Sequence, residues 1–391
     1  MRWRTDTRAT GAQHGNVMCP RSPDLEAQTI DLDLAARPQA LRRILRGYGA
    51  PRRRRSVLEL LITVIPFAGL WILLWYTVNS GYWAGFVLAV PAAAFLVRLF
   101  MIQHDCSHRS FFASQRANDW VGRGIGVLTL TPYDFWRHTH NVHHATSGNL
   151  DRPRIGGVDT LTVREYRALP RWRRWLYRLY RHPIVLFGFG PAWIFLLDYR
   201  LPVKFMRAGW MPWVSTMTTN AVIVALWGGL MMAVGVTTFL LVQLPVTLLA
   251  ASIGVWLFYV QHQFEDTYWE HEDHWSFDES ALHGSSHYVL PGVLRWFSAN
   301  IGVHHLHHLC CRVPSYRLAE VLRDHPELAD ISRITLRQSI AAVGLALWDE
   351  DKRRLVSFRE TRRDPPVDAP ASEQRRAAWT ESPGARAPFP R

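Results

Sequence analysis

The fold class predicted here is an all-α integral membrane protein, with four transmembrane helices in two hairpins, additional interfacial helices and a helical cap at one end. Three observations carry it: apolar blocks of membrane-spanning length, Arg-dense stretches between them, and connections of alternating charge. The chain has 391 residues, 48% hydrophobic, yet a formal net charge of +13, so a large apolar interior must coexist with a basic surface.

The spans come first. Val57–Val78, Tyr82–Ile102, Trp213–Val236 and Thr238–Val260 each approach the ~20 residues that cross a bilayer core. They pair as hairpins, because Asn79-Ser80-Gly81 and the turn around Gly235 carry no Lys or Arg. The flank before Val57 (Pro51-Arg52-Arg53-Arg54-Arg55), the segment between the hairpins and the segment after Val260 are rich in Arg. Cytosolic loops carry the positive excess, so both termini and the long middle loop are expected on the cytosolic side.

Two shorter apolar stretches, Val121–Thr131 and Ile184–Leu197, are too short to cross and are interrupted by Gly124, Gly126 and Pro191, which predicts interfacial or re-entrant helices. Arg171–Arg181 interleaves Arg with Trp172, Trp175, Tyr177 and Tyr180, a pattern suited to a helix in the head-group layer. Residues 1–50 are expected to be a cytosolic N-terminal tail, partly disordered, 51–363 the membrane domain, and 364–391, rich in Pro, Ala and Arg, a disordered tail. Asp24, Glu26, Asp31 and Asp33 and the lack of an apolar core in the first fifty residues argue against a cleaved signal peptide. Cys19, Cys106, Cys310 and Cys311 have neither metal-binding nor disulfide spacing, as expected in reducing cytosol. The basic charge adjoins apolar spans and suits anionic lipid head groups, so no nucleic-acid partner is expected.

Histidine carries the chemistry. Of 18 histidines, nine gather into three short clusters and one outlier. His104 and His108 follow the second span four residues apart; on a continuing helix both rings share a face. His140, His143 and His144, and again His304, His307 and His308, stand at i, i+3, i+4, so each set presents three imidazoles along one side of a helical turn. His262 falls two residues beyond the predicted fourth span. Neutral imidazole is a common ligand for Fe, Zn and Cu. Because an even number of spans separates the clusters, all fall on one side of the membrane, a condition any shared metal site must meet. His14, His182, His271, His274, His283, His287 and His325 lack such company and are read as structural.

These residues resemble the three histidine boxes of the membrane fatty acid desaturase family, and most closely the bacterial acyl-lipid desaturases. The first box is similar to His104-Asp105-Cys106-Ser107-His108. The second and third match the pattern H-x-x-H-H at His140-Asn141-Val142-His143-His144 and His304-His305-Leu306-His307-His308. The resemblance covers approximately Val57 to Phe358 and includes Trp256–Glu265 and Trp348-Asp349-Glu350. It implies a di-iron centre ligated by nine histidines: His104, His108, His140, His143, His144, His262, His304, His307 and His308. His138 and His305 lie beside the boxes but outside their register, and either orient ligands or are structural. Asp105, Asn141 and Asn300 are candidates to hold ligating rings by their second nitrogen, or else cap helices or face solvent; Asn300 sits four residues before His304 and would stack on its helical face.

The implied activity is formation of a cis double bond in a lipid acyl chain with O2 and two electrons, chemistry that no acid or base side chain can supply. Aromatics in Trp269–Trp275 and Leu294–Phe297 either wall an acyl tunnel or pack as interfacial anchors. There is no C-x-x-C-H, no ferredoxin cysteine spacing and no G-x-G-x-x-G after a strand, so electrons must come from a separate carrier; the resemblance implies a ferredoxin or flavodoxin. It likewise implies a multi-pass protein of a bacterial-type cytoplasmic membrane with its site on the cytosolic side. Hydroxylases and ketolases of the same superfamily use similar boxes and form the alternative. Transport ligands would lie near the bilayer midplane, and a zinc hydrolase needs about three protein ligands rather than nine histidines.

Overall fold

The computed structural model describes residues 38–363 apart from Arg154, so the expectations for 1–37 and 364–391 concern residues outside the description. The elements run in order: α1 (Pro38–Gly47), α2 (Arg53–Asn79), α3 (Ala89–Ser107), α4 (Gln115–Leu128), α5 (Tyr133–Thr146), β1 (Leu161–Thr162), α6 (Val163–Ala168), α7 (Arg171–Tyr180), α8 (Gly190–Leu196), α9 (Met211–Val234), α10 (Val236–His262), α11 (Phe277–His283), β2 (His287–Val289), α12 (Gly292–Phe297), α13 (His304–Leu309), α14 (Ser315–Asp324), β3 (Arg333–Thr335), α15 (Leu336–Ala342), β4 (Leu345–Asp349), β5 (Arg354–Ser357) and α16 (Glu360–Arg363).

Four helices are long and apolar enough to cross a membrane: α2, the segment Trp83–Ser107 that opens with a 3-10 turn and continues as α3, α9 and α10. Each agrees with a predicted span to within a few residues, and the extensions matter. The second span runs on to Ser107, which places His104 inside the helix and His108 at its C-cap. The fourth ends at His262, which is therefore the last helical residue and not beyond the span. Gly235 joins α9 to α10 with φ +84, a conformation open to glycine at little steric cost.

The spans pack through an apolar core that includes Leu74, Leu96, Leu99, Val242, Val246 and Tyr259. Two polar links cross it. Trp71 Nε1 donates to Gln243 Oε1 at 2.9 Å, joining α2 to α10. Glu59 of α2 and Arg98 of α3, both almost fully buried, form an ion pair, and Arg98 also donates to Thr63 Oγ1 (3.2 Å) and to the Trp296 carbonyl of α12. Charges in a span are costly unless paired, which is why these two residues meet.

α4 follows α3 as a separate helix of 14 residues that takes in most of the short Val121–Thr131 stretch. Helix α7 is paired with a second helical segment, Val185–Arg200, across a 58° bend. On α7, Trp172 and Trp175 are exposed beside Arg171, Arg173 and Arg174. Beyond the spans, α1, α11, α13 and α14 share a second core, in which Leu41 and Leu45 of α1 are wholly buried with Leu306 and Leu318. Residues 38–47 thus belong to the folded cap, each of those leucines contributing about 1.5–3 kcal/mol of burial. Two small sheets brace the cap: β1 parallel to β4, with β5 antiparallel on its far side, and β2 parallel to β3 with Tyr288 opposite Ile334. Strands of two to five residues carry too little alternation to be read from sequence.

Candidate metal centre

Helix geometry puts the histidines together. On α5 the rings of His140, His143 and His144 share one face, on α13 those of His304, His307 and His308 do, and α3 and α10 contribute His104, His108 and His262 from their ends. All nine are at most 8% exposed. Two groups form, His104, His108, His140, His144 and His307 in one and His143, His262 and His308 in the other, with ligand atoms of each group within 4.8 Å of one another. His304 adjoins the second group, its Nε2 lying 3.1 Å from His262 Nε2.

The nitrogen spacings identify what such a cluster is built for. Nε2 atoms face each other at 3.1 Å between His108 and His140, 3.1 Å between His143 and His262, 3.2 Å between His140 and His144, and 3.3 Å between His144 and His307. Around an ion with metal–nitrogen bonds of ~2.1 Å, ligands at right angles stand about 3 Å apart. A neutral imidazole has one proton, and His140 Nε2 faces two other Nε2 atoms at once, so protons alone cannot satisfy the set. A cation shared by the lone pairs does. In addition, His308 Nε2 and the Nδ1 atoms of His104, His144 and His304 are buried without a hydrogen-bond partner.

Electrostatics holds seven of the rings neutral. Burial, reinforced by neighbouring imidazoles, pushes His108, His140, His143, His144, His304, His307 and His308 well below the ordinary histidine range. The lone pairs are therefore available to a metal at neutral pH. His262 Nδ1 donates to the Gly284 carbonyl at 3.1 Å, which turns its Nε2 lone pair toward the cluster. Trp136 stacks on His140 (4.6 Å, 11°), and Phe258 packs against His143 and His262 at 5.1 and 5.3 Å.

The five neighbouring candidates divide. Asp105 Oδ1 lies 3.5 Å from His104 Nδ1 while its Oδ2 accepts from the Ser315 backbone N–H at 2.8 Å, so it fixes the start of α14 against α3. Asn300 is a correction: α13 begins only at His304, Asn300 sits before it at φ +59, and its Nδ2 donates to the Ser315 carbonyl (3.1 Å), not to a ring. Asn141, one residue on from His140 and so about 100° around the helix, makes no hydrogen bond to an imidazole among the described residues. His305 points away in the same manner and bonds the Leu328 carbonyl at 3.0 Å through Nε2. His138 packs edge-on against Phe205 at 5.3 Å, its pKa lowered by burial and by Arg137. His271, read as structural, bridges Asp151 (3.0 Å) and Glu350 (3.2 Å).

Trp136 and Phe258 escaped the sequence reading although each stands four residues before a ligand, a spacing that signals ring contact on a helix. The Gly284 carbonyl left no signal, being backbone. Beside the second group a cavity opens, lined by His143, His262, Phe258, Ile155, Val158 and Trp269 among others. Its walls are mixed: Phe258, Ile155, Val158 and Trp269 are apolar, whereas Thr146, Ser147, Asn149 and Gln263 bring polar groups.

Comparison with known proteins agrees with this geometry. The family model described as fatty acid desaturase matches residues 80–339. The chain is similar to a protein named fatty acid desaturase from Bacillus subtilis, 43% identical over 346 residues, which cover 88% of this chain and 98% of that protein. It is also similar to two Synechocystis proteins: an sn-1 acyl-lipid omega-3 desaturase (ferredoxin), 30% identical over 232 residues (56% of this chain, 61% of that one), and an sn-1 oleoyl-lipid 12-desaturase, 26% identical over 255 residues (65% and 70%).

Proposed function

The chain belongs to the fatty acid desaturase family, an oxidoreductase family, and we propose that within it this protein is an acyl-lipid desaturase that introduces a cis double bond into a membrane lipid. The observation that carries the reading is the pair of buried imidazole groups, the second of which borders a cavity with Phe258, Ile155, Val158 and Trp269 in its wall. We assign one iron to His104, His108, His140, His144 and His307 and a second to His143, His262, His304 and His308, a nitrogen-rich set that suits iron. When bound, two irons supply the activation of dioxygen that cleavage of an unactivated C–H bond demands.

The residues of the chain do the rest. Phe258, Ile155, Val158 and Trp269 exclude water and hold a stretch of methylenes beside the His143 and His262 rings, so that one pair is placed for reaction. The Gly284 carbonyl fixes the ring of His262, and Asp105 anchors α14 against α3 beside His104. Making one double bond yields two electrons from the acyl chain, while reducing dioxygen to two waters takes four, so the remaining two come from a carrier such as ferredoxin or flavodoxin. The Arg-rich flanks of the hairpins support a site on the cytosolic side of a bacterial-type cytoplasmic membrane.

The test is expression in a host whose lipids are only saturated and monounsaturated, with a ferredoxin and its reductase supplied. A new unsaturated acid that vanishes in His143→Ala is expected. An unchanged lipid profile overturns the reading, and a hydroxylated acid transfers it to the hydroxylase alternative.

A further inference from the structure

Given a desaturase reaction, electrons must enter from outside. Arg312 is partly exposed and lies four residues after His308; its Nη1 donates to the carbonyls of His108 (3.3 Å) and Arg109 (3.0 Å). One side chain thus reaches from the surface to the backbone of a residue in the first imidazole group and adjoins by sequence a residue of the second.

Around it several guanidinium groups lie near one another, with Glu320 at the edge bound by Arg52 and Arg317. The Gly49 N–H donates to the Arg46 carbonyl at 3.0 Å, and a Cβ on Gly49 would meet the Arg312 carbonyl at 3.6 Å; Arg109 Nη1 donates to Gln115 Oε1 next to Arg116, and the Arg52 backbone N–H donates to Tyr316. Arg46, Arg53, Arg54 and Arg116 are exposed, and among the described residues none of Arg46, Arg53, Arg54, Arg109, Arg116 and Arg312 forms an ion pair. Elsewhere the cap is of mixed sign: Glu272 is paired with Arg152 and Glu270 with Arg353, beside exposed Asp266, Asp273 and Glu279. Uncompensated guanidinium groups in one patch attract a negatively charged surface and speed its encounter, while the mixed remainder does not.

We infer that the surface formed by Arg46, Arg109, Arg116 and Arg312 docks an acidic one-electron carrier protein, which delivers electrons beside His108. It rests on the desaturase reading. A one-electron carrier must visit twice per double bond, so the contact is of the weak, salt-sensitive kind that charge provides.

The test is binding of an acidic [2Fe–2S] ferredoxin to the iron-loaded protein in nanodiscs of phosphatidylcholine alone, which removes anionic lipid from the comparison. For the double variant Arg46→Glu/Arg116→Glu, the dissociation constant is expected to rise about tenfold or more and its salt dependence to flatten, with iron content unchanged; Arg337→Glu, on exposed α15, leaves binding as it was. Arg312→Gln, which keeps net charge closer to native, is expected to give an intermediate loss. The inference is overturned if the double variant binds like the parent, if Arg337→Glu weakens binding equally, or if the double variant loses only adherence to phosphatidylglycerol vesicles, which makes the patch a lipid contact. Ferredoxin bound at this patch by a protein that forms no new double bond would leave the docking surface standing and remove the desaturase reading alone.

Discussion

The Nε2 atoms of His143 and His262 lie 3.1 Å apart although 119 residues of chain separate them. One belongs to the cap helix α5 and the other closes the membrane helix α10, so their meeting couples the two layers of the molecule. A close approach of two ring nitrogens, in neither of which burial tolerates a charge, is unfavourable unless something between them accepts both lone pairs. The same holds at four further Nε2 pairs.

Removing a converging ring and removing a neighbouring one therefore have different consequences. His144→Ala, which deletes an Nε2 that faces those of His140 and His307, is expected to lose bound iron. His305→Gln, whose native ring bonds the Leu328 carbonyl in a separate core, is expected to keep it at the cost of about 1–3 kcal/mol of stability. Iron analysis of the two purified variants, alongside thermal unfolding, checks both statements.

Much of this was legible in the sequence for a reason particular to histidine boxes. The spacings i, i+4 and i, i+3, i+4 fix which rings share a helical face, and the even number of apolar spans between the clusters lets them all meet at one end of the bundle. What was illegible depends on tertiary contact. Asn300 lies four residues before His304, yet the left-handed turn at Ala299 and Asn300 breaks the helix that this spacing presumes. His262 draws its orientation from a carbonyl 22 residues away. Helix α1 was obscured by its Arg content, and its two buried leucines are too few to set a period alone. Glu59 and Arg98 did leave a signal, being charges inside otherwise apolar spans.

That pair gives a second prediction. Glu59→Leu leaves Arg98 buried with no carboxylate beside it and is expected to destabilise the protein by about 3–5 kcal/mol. The double variant Glu59→Leu/Arg98→Met is expected to recover most of the loss, since a well-packed apolar pair can replace a buried ion pair. Denaturation in detergent of both variants and the parent measures the coupling.

Two glycines of α4 separate close packing from propensity. A Cβ on Gly122 would lie 2.2 Å from Tyr133 Cε2, and Tyr133 holds α3 by donating to the Cys106 carbonyl at 2.9 Å, between His104 and His108. Gly122→Ala is expected to lower the unfolding temperature and the iron content together. Gly124→Ala meets nothing within 4 Å and is expected to stabilise by about 0.5–1 kcal/mol. The opposite signs are read from melting curves.

His271 ties the segment after α5 to the β4–β5 hairpin. Burial lowers its pKa, but hydrogen bonds to Asp151 and Glu350 outweigh that and raise it above the usual histidine value. A raised folded-state pKa contributes stability that is fully present below the unfolded value of about 6.5 and is lost as pH climbs through the folded one. The melting temperature is expected to fall between slightly acidic and slightly alkaline pH, and His271→Gln is expected to flatten that slope. An unaltered slope in the variant contradicts the tie.

The most direct measurement is the metal content of the protein purified without added chelator. Two irons per chain are expected, falling together in His144→Ala and His262→Ala. Zinc alone at full occupancy, or iron that is indifferent to both substitutions, would contradict a pair of irons gripped by these imidazoles.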